Sequence, residues 1–175
     1  SICDKPILCA VPDFSDSAPS LSAMTLVQEK PSTVAAHEIR KIVPYLTASA
    51  LRDGVRSCVM VSAERHDGRT FLACNLAIAL AQANRRVLLV ETSPQAKAEG
   101  ALGLDRDAGI SDILCSQSSF PDCVRHTPIA NLFFIGIGTR SDMISAKIAS
   151  RDMMQLLRHA EQCFDHVIID TPCFT

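Results

Sequence analysis

The sequence predicts an α/β fold: a doubly wound, mostly parallel sheet flanked by helices, in a single domain. Three observations carry this. Four short apolar runs, Cys58–Val61, Val87–Val90, Leu132–Ile137 and Val167–Ile169, are near-continuous rather than alternating, as strands covered on both faces are. Helix-like segments lie between them, at Thr70–Ala83, Ile110–Cys115, Pro121–His126 and Ala146–Cys163. Polar residues gather where the runs end, which is where open α/β sheets carry their sites.

Residues 1–32 read as an extended N-terminal segment and linker: Lys5–Pro12 lies between prolines, and Asp13–Ser32 is rich in Ser, Pro and Asp. The folded domain is expected over residues 33–175. Its first helix is marked by Val34, Ile39, Ile42, Val43, Leu46 and Leu51 at helical spacing. Ser32 or Thr33 would cap it, Pro44 should kink or split it, and Asp53-Gly54 should end it. The segment Phe71–Ala83 is apolar almost all round and therefore reads as a buried helix. In Ala146–Cys163, Ile148, Met153, Met154, Leu156, Leu157 and Ala160 fall mostly on one face, with the Met pair as core filler.

Composition sets bounds on function. A chain of 175 residues that is 47% hydrophobic and 5% aromatic can bury one sizeable aliphatic core. A net charge of −2 gives no support to a nucleic-acid partner or an anionic-membrane binder. The eight cysteines form no CxxC pair and sit mostly in apolar segments, which reads as reduced thiols in a cytosolic compartment. His66, His126, His159 and His166 are not at metal-ligand spacing. No stretch approaches the ~20 apolar residues of a membrane span and no signal peptide is visible. The chain opens on Ser1 without Met, as a piece of a longer protein would, and a truncation at the C-terminus is expected on the same footing.

The chemistry concentrates at three strand ends. After Cys58–Val61 comes a polar loop, then a helix, with Gly68-Arg69-Thr70 at the junction. Strand, loop and helix with a basic residue and a hydroxyl at that point is the layout of a phosphate-binding P-loop. The usual core is Gly-x-Gly-Lys-Ser/Thr; this one is His66-Asp67-Gly68-Arg69-Thr70, followed by Phe71. A buried helix whose amino end faces such a loop turns backbone N–H groups on an anion, although an ordinary βα unit that binds nothing has the same outline. The second run ends in Glu91-Thr92-Ser93. The fourth ends in Asp170-Thr171-Pro172, an apolar strand closed by an acid, which is the Walker B pattern that orients Mg²⁺. Glu91 and Asp170 could pair at adjacent strand ends, with a plain structural role.

Taken together, the three segments resemble the cytoplasmic domain of bacterial tyrosine kinases of the exopolysaccharide and capsule systems (BY-kinases), within the deviant P-loop ATPases. The resemblance extends through Asn75-Leu76-Ala77, Arg86–Glu91, Gly109–Leu114, Asn131-Leu132, Ala149–Leu157 and Phe164–Pro172. It implies nucleotide-binding positions at His66, Asp67, Gly68, Arg69, Thr70 and Phe71, a second Walker motif at Glu91 and Ser93, and Mg²⁺ at Thr70 and Asp170. It also implies a place at the inner face of the bacterial plasma membrane. The implied partner is the cytoplasmic tail of a membrane chain-length regulator, to which the domain could equally be fused; self-association is implied as well.

The departures from that pattern matter more. Arg69 stands where the family has Lys, and a planar guanidinium does not replace a compact ammonium on a flexible stem. His66 stands where it has Gly, and Glu91-Thr92-Ser93 replaces Asp-x-Asp. The ring-assembly motif Glu-x-x-Arg-x-x-Arg falls on Glu38, Lys41 and Pro44, and the only tyrosine is Tyr45. Phosphoryl transfer rests almost wholly on positioning and charge neutralisation. The expectation is therefore a degenerate, pseudo-kinase member with a regulatory or scaffolding role and no cofactor. The alternative is an active ATP-dependent kinase or ATPase that binds ATP or ADP with Mg²⁺ through an Arg-containing loop.

Overall fold

The second and fifth strands form the centre of the structure, because every one of their residues is buried. The fold was obtained as a computed structural model, which describes residues 10–11, 21–62, 64, 67–95, 97–139 and 147–172. Five strands, β1 Ser57–Met60, β2 Val87–Glu91, β3 Arg125–His126, β4 Leu132–Ile135 and β5 His166–Asp170, form one sheet in the order β1-β5-β2-β4-β3. All neighbours run parallel except β3, which lies antiparallel to β4 at one edge. The doubly wound α/β expectation holds, and all four apolar runs are strands.

Helices cover both faces. One face carries α1 Leu26–Glu29, α2 Val34–Asp53 and α3 Arg69–Gln82, packed on Met60, Val87, Leu89, Leu132, Phe134 and Ile168. Residues Leu88, Val90, Ile135, Val167 and Ile169 point to the other face, which is covered by α5 Ile110–Leu114, α6 Phe120–Cys123 and α7 Arg151–Cys163. A short α4, Ala98–Ala101, follows β2. Among the described residues no helix is long and apolar enough to cross a membrane. The described cysteines, Cys58, Cys74, Cys115, Cys123 and Cys163, are all unpaired.

Several local expectations are corrected. The linker expected over Asp13–Ser32 does not hold for residues 21–29, a helical turn (Leu21–Thr25) that continues into α1 and buries Leu26 and Val27. Asn75 is the reason: fully buried on α3, its Oδ1 accepts from Val27 N at 2.8 Å and its Nδ2 donates to Ala23 O at 3.0 Å. Residues 5–9 and 12–20 lie outside the described residues. Pro44 does not split α2, which runs continuously from the Thr33 cap to Gly54, left-handed at φ 70°. β1 is an edge strand with Val59 49% exposed, so it is not covered on both faces. The helix expected over Pro121–His126 stops at Cys123, and Arg125–His126 is β3. Of the Met pair, Met153 is core and Met154 is exposed.

Candidate functional site

The three polar strand ends meet at the carboxyl edge of the sheet. Parallel pairing puts Glu91 opposite Asp170 and Met60 opposite Asp170 in register, so the ends of β2, β5 and β1 lie side by side. Threonines stitch these ends together. Thr92 donates to Asp170 O from its N at 3.0 Å and its Oγ1 at 2.9 Å, and Thr171 Oγ1 donates to Met60 O at 2.7 Å. Both threonines lie directly after the acids, the one sequence signal that could have marked them.

The loop before α3 presents its residues to this edge in part. Gly68 is the cap residue of α3 and adopts φ 76°, a left-handed conformation that glycine takes without the cost a Cβ imposes. Thr70 Oγ1 donates to Asp170 Oδ2 at 2.6 Å, and Arg69 Nη1 donates to Thr171 O at 2.6 Å. Asp67 Oδ2 accepts from Glu64 N at 3.0 Å and folds the loop on itself. Phe71 is half-buried and packs against the apolar cluster beneath α3. His66 lies outside the described residues. Thr70, Arg69 and Asp170 are therefore brought together as the spacing suggested.

Glu91 and Ser93 are both buried, and Glu91 is only 2% exposed. Glu91 Oε1 accepts from Ala98 N at 2.8 Å, the amide that opens α4. Burial pushes its carboxyl up to about 7; the Ala98 amide pulls it down, and the Asp170 charge pushes it up again. Asp170 is also raised, by burial first, with the Thr70 hydrogen bond and the Arg69 charge opposing. Its Oδ1 is buried with no hydrogen-bond partner. A free carboxylate oxygen beside a threonine hydroxyl suits Mg²⁺, which takes one or two protein oxygens and fills the rest of its shell with water and phosphate. Among the described residues no group of three His, Cys, Asp or Glu side chains could hold a metal on its own.

A clamp beside the site went unread in the sequence. Asp112, buried on α5, accepts from Gly109 N and Thr139 N at 2.9 Å each, and also from the Thr139 hydroxyl. It ties α5 to the chain leaving β4. The two backbones approach so closely that a Cβ at Gly109 would stand 2.6 Å from Gly138 N.

Residues 66–174, well over half of the chain, match the family described as AAA domain. The chain belongs to that family. Its P-loop domain is homologous to bacterial tyrosine-protein kinases. It is 34% identical over 106 residues to the tyrosine-protein kinase ptk of Acinetobacter johnsonii, covering 60% of this chain and 14% of that protein. It is 22% identical over 147 residues to the putative tyrosine-protein kinase CapB of Staphylococcus aureus, covering 83% of this chain and 64% of that one. The chain thus spans less than two thirds of these relatives. Among solved structures, the BceF tyrosine kinase domain superposes with a TM-score of 0.82 at 26% identity, over 96% of this chain and 72% of that one. The septum site-determining protein MinD of Pyrococcus horikoshii, solved in complex with Mg-ADP, shares the fold with a TM-score of 0.61 at 24% identity, over 69% of this chain and 50% of that one.

Proposed function

We propose that this chain is a catalytically impaired BY-kinase-like domain, a regulatory or scaffolding component of surface polysaccharide synthesis or export. It works at the inner face of the bacterial plasma membrane. Its partner is the cytoplasmic tail of a membrane chain-length regulator, in a separate chain or fused to it, and it also associates with copies of itself. The observation that carries this reading is the engagement of Glu91. The acid that stands at the second Walker motif is buried, bonded to the Ala98 amide and raised to about 7, so it serves as an anchor for α4. A carboxyl buried in the interior and held by a backbone amide is poorly placed to orient the water around a metal ion for phosphoryl transfer.

A second reading is supported by one observation. Asp170 keeps a partnerless buried oxygen next to Thr70, so these two residues can hold Mg²⁺ and with it ATP or ADP. Bound Mg²⁺ would supply neutralisation of the phosphate charge. Asp170 would orient its shell, Thr70 would give it a hydroxyl oxygen, and the amino end of α3 would face the phosphates.

Calorimetric titration with ATP and ADP, with and without Mg²⁺, separates the two. Binding at millimolar or weaker affinity, unchanged by Thr70→Ala, is expected. Micromolar, Mg²⁺-dependent binding that Asp170→Asn weakens would sink the impaired reading and make phosphate transfer the next assay.

A further inference from the structure

We infer that residues 21–31 are a releasable strap, latched to α3 by Asn75 and to α2 by Arg40, through which the amino-terminal segment acts on the helix that carries Thr70. Only what pulls the strap rests on the regulatory reading above: a partner that engages that segment or is fused ahead of it. Asn75 is fully buried in the middle of α3. Its Oδ1 accepts from Val27 N at 2.8 Å, and its Nδ2 donates to Ala23 O at 3.0 Å. Arg40 on α2 holds the far end: Nη1 donates to Pro31 O at 2.7 Å and Nη2 to Val27 O at 3.1 Å. Val27 is thus gripped by both backbone groups, its N–H by α3 and its C=O by α2.

The strap is built to let go. Its apolar anchors are Leu26 and Val27, with Met24 half-buried beside the same cluster. Residues 28–32 are exposed, so the joint between the strap and the Thr33 cap of α2 lies in water. In contrast, α3 is buried without a break from Ala73 to Ala81. A satisfied buried amide fixes one register for the strap, which an apolar contact alone would not. When the strap leaves, the amide passes to water instead of being stranded, so undocking loses only the net value of exchanged hydrogen bonds and two apolar anchors. That is a local opening, separate from global unfolding.

Asn75 also faces the other way. The Nδ2 that holds Ala23 O donates to Phe71 O at 2.9 Å, in the first turn of α3 and next to Thr70. A docked strap keeps this amide in place, and the amide in turn ties down the first turn. That turn starts at the left-handed Gly68, is closed by Leu72 N donating to Gly68 O at 2.8 Å, and carries the Thr70 hydroxyl that donates to Asp170 Oδ2. With the strap gone, the amide is free to turn to water and the first turn loses one of its ties. Strap and strand end are thereby joined through one side chain.

The test is amide hydrogen exchange, read by NMR without nucleotide, on the 175-residue chain as wild type, Asn75→Leu and Arg40→Met. In wild type the Val27 amide is expected to exchange about ten-fold or more faster than the amides of β2, through local opening. Asn75→Leu removes both bonds from Asn75 to the strap and is expected to speed Val27 by about ten- to a hundred-fold, with β2 held within about two-fold. Arg40→Met touches neither Asn75 nor Phe71, so it reads the coupling: Val27 is expected to speed up about ten-fold and Leu72 about three-fold. Val27 and β2 amides exchanging at one common rate in wild type would make the strap part of the core and overturn the inference. A Leu72 amide unmoved in Arg40→Met would overturn it as well. Should Asn75→Leu fail to fold, wild type and Arg40→Met carry both readouts. The impaired reading stands or falls separately, on the calorimetry with ATP and ADP.

Discussion

Glu91 shows how far a side chain's role depends on what its loop does next. From the sequence it closes a buried strand beside Asp170, and the parallel register confirms that neighbourhood. That much was legible, because strand ends in a parallel sheet line up. Its bond to Ala98 N was not, since it depends on the path of a loop with no periodic signal. The acid carries a measurable signature. Its folded value of about 7 lies above its ordinary 4.5, so the unfolded chain gives up this proton first. The stability associated with the neutral form is fully present below about pH 4.5 and is lost as pH rises through 7. The gap corresponds to about 3 kcal/mol at most. Glu91→Gln keeps an oxygen for the Ala98 amide and cannot ionise. Its chemical-denaturation stability is expected to lose that decline between pH 4.5 and 7, and to exceed wild type at pH 8. A variant with the wild-type slope would assign the pH dependence to other groups. Arg69, Thr70 and Asp170 were readable for the reason Glu91's neighbourhood was: a fixed strand-loop-helix spacing brings them to one edge. Phe71 was not, because whether a residue at a helix start faces the loop or the core is decided by packing.

At the scale of elements, spacing located the four apolar strands and the helices α3, α5 and α7, and missed what local context decides, such as α4 and the strand at Arg125–His126. Residues 21–29 looked like linker because Leu26 and Val27 make too short an apolar run to register. What holds them is a buried Asn75 on another helix, a polar residue in an apolar helix whose only visible signal was its incongruity. Pro44 is the reverse case: the local rule predicted a break, and the packing of α2 against α3 and α1 overrode it. The helix bears that cost in place. Proline removes one i→i−4 hydrogen bond, to Arg40 O, and presses its ring on that turn, costing roughly 3 kcal/mol, while stiffening the unfolded chain by about 1 kcal/mol in compensation. Pro44 is exposed, so replacing it disturbs little else. Pro44→Ala is expected to raise the unfolding free energy by about 2 kcal/mol, the difference between those terms. A loss of stability in urea titration would mean that α2 needs its proline for a bend that the neighbouring helices fit.

At the scale of the whole molecule, the described residues form two apolar clusters back to back across one sheet, and a strand contributes to both by turn. On β2, Val87 and Leu89 face the cluster under α3, while Leu88 and Val90 face the one under α7. On β5, Ile168 serves the first and Ile169 the second. Neither cluster can be lost without exposing one side of the strands that support the other, so the two should melt as one. Leu76 on α3 and Leu156 on α7 are buried on opposite sides. With stacked layers about 10 Å apart on each side of the sheet, they share no partners. Leu76→Ala and Leu156→Ala are each expected to cost about 2–5 kcal/mol, with Leu76 nearer the top because α3 is buried almost all round and has no room to collapse. The double variant should lose the sum to within about 0.5 kcal/mol, with a single transition of unchanged slope in denaturant. Two transitions, or a shallower slope in Leu156→Ala alone, would show instead that α5, α6 and α7 form a layer able to detach from a sheet that α2 and α3 keep folded. The carboxyl edge with Arg69, Thr70 and Asp170 would then survive the loss of the opposite face, since β1, β5 and α3 belong to the half that remains.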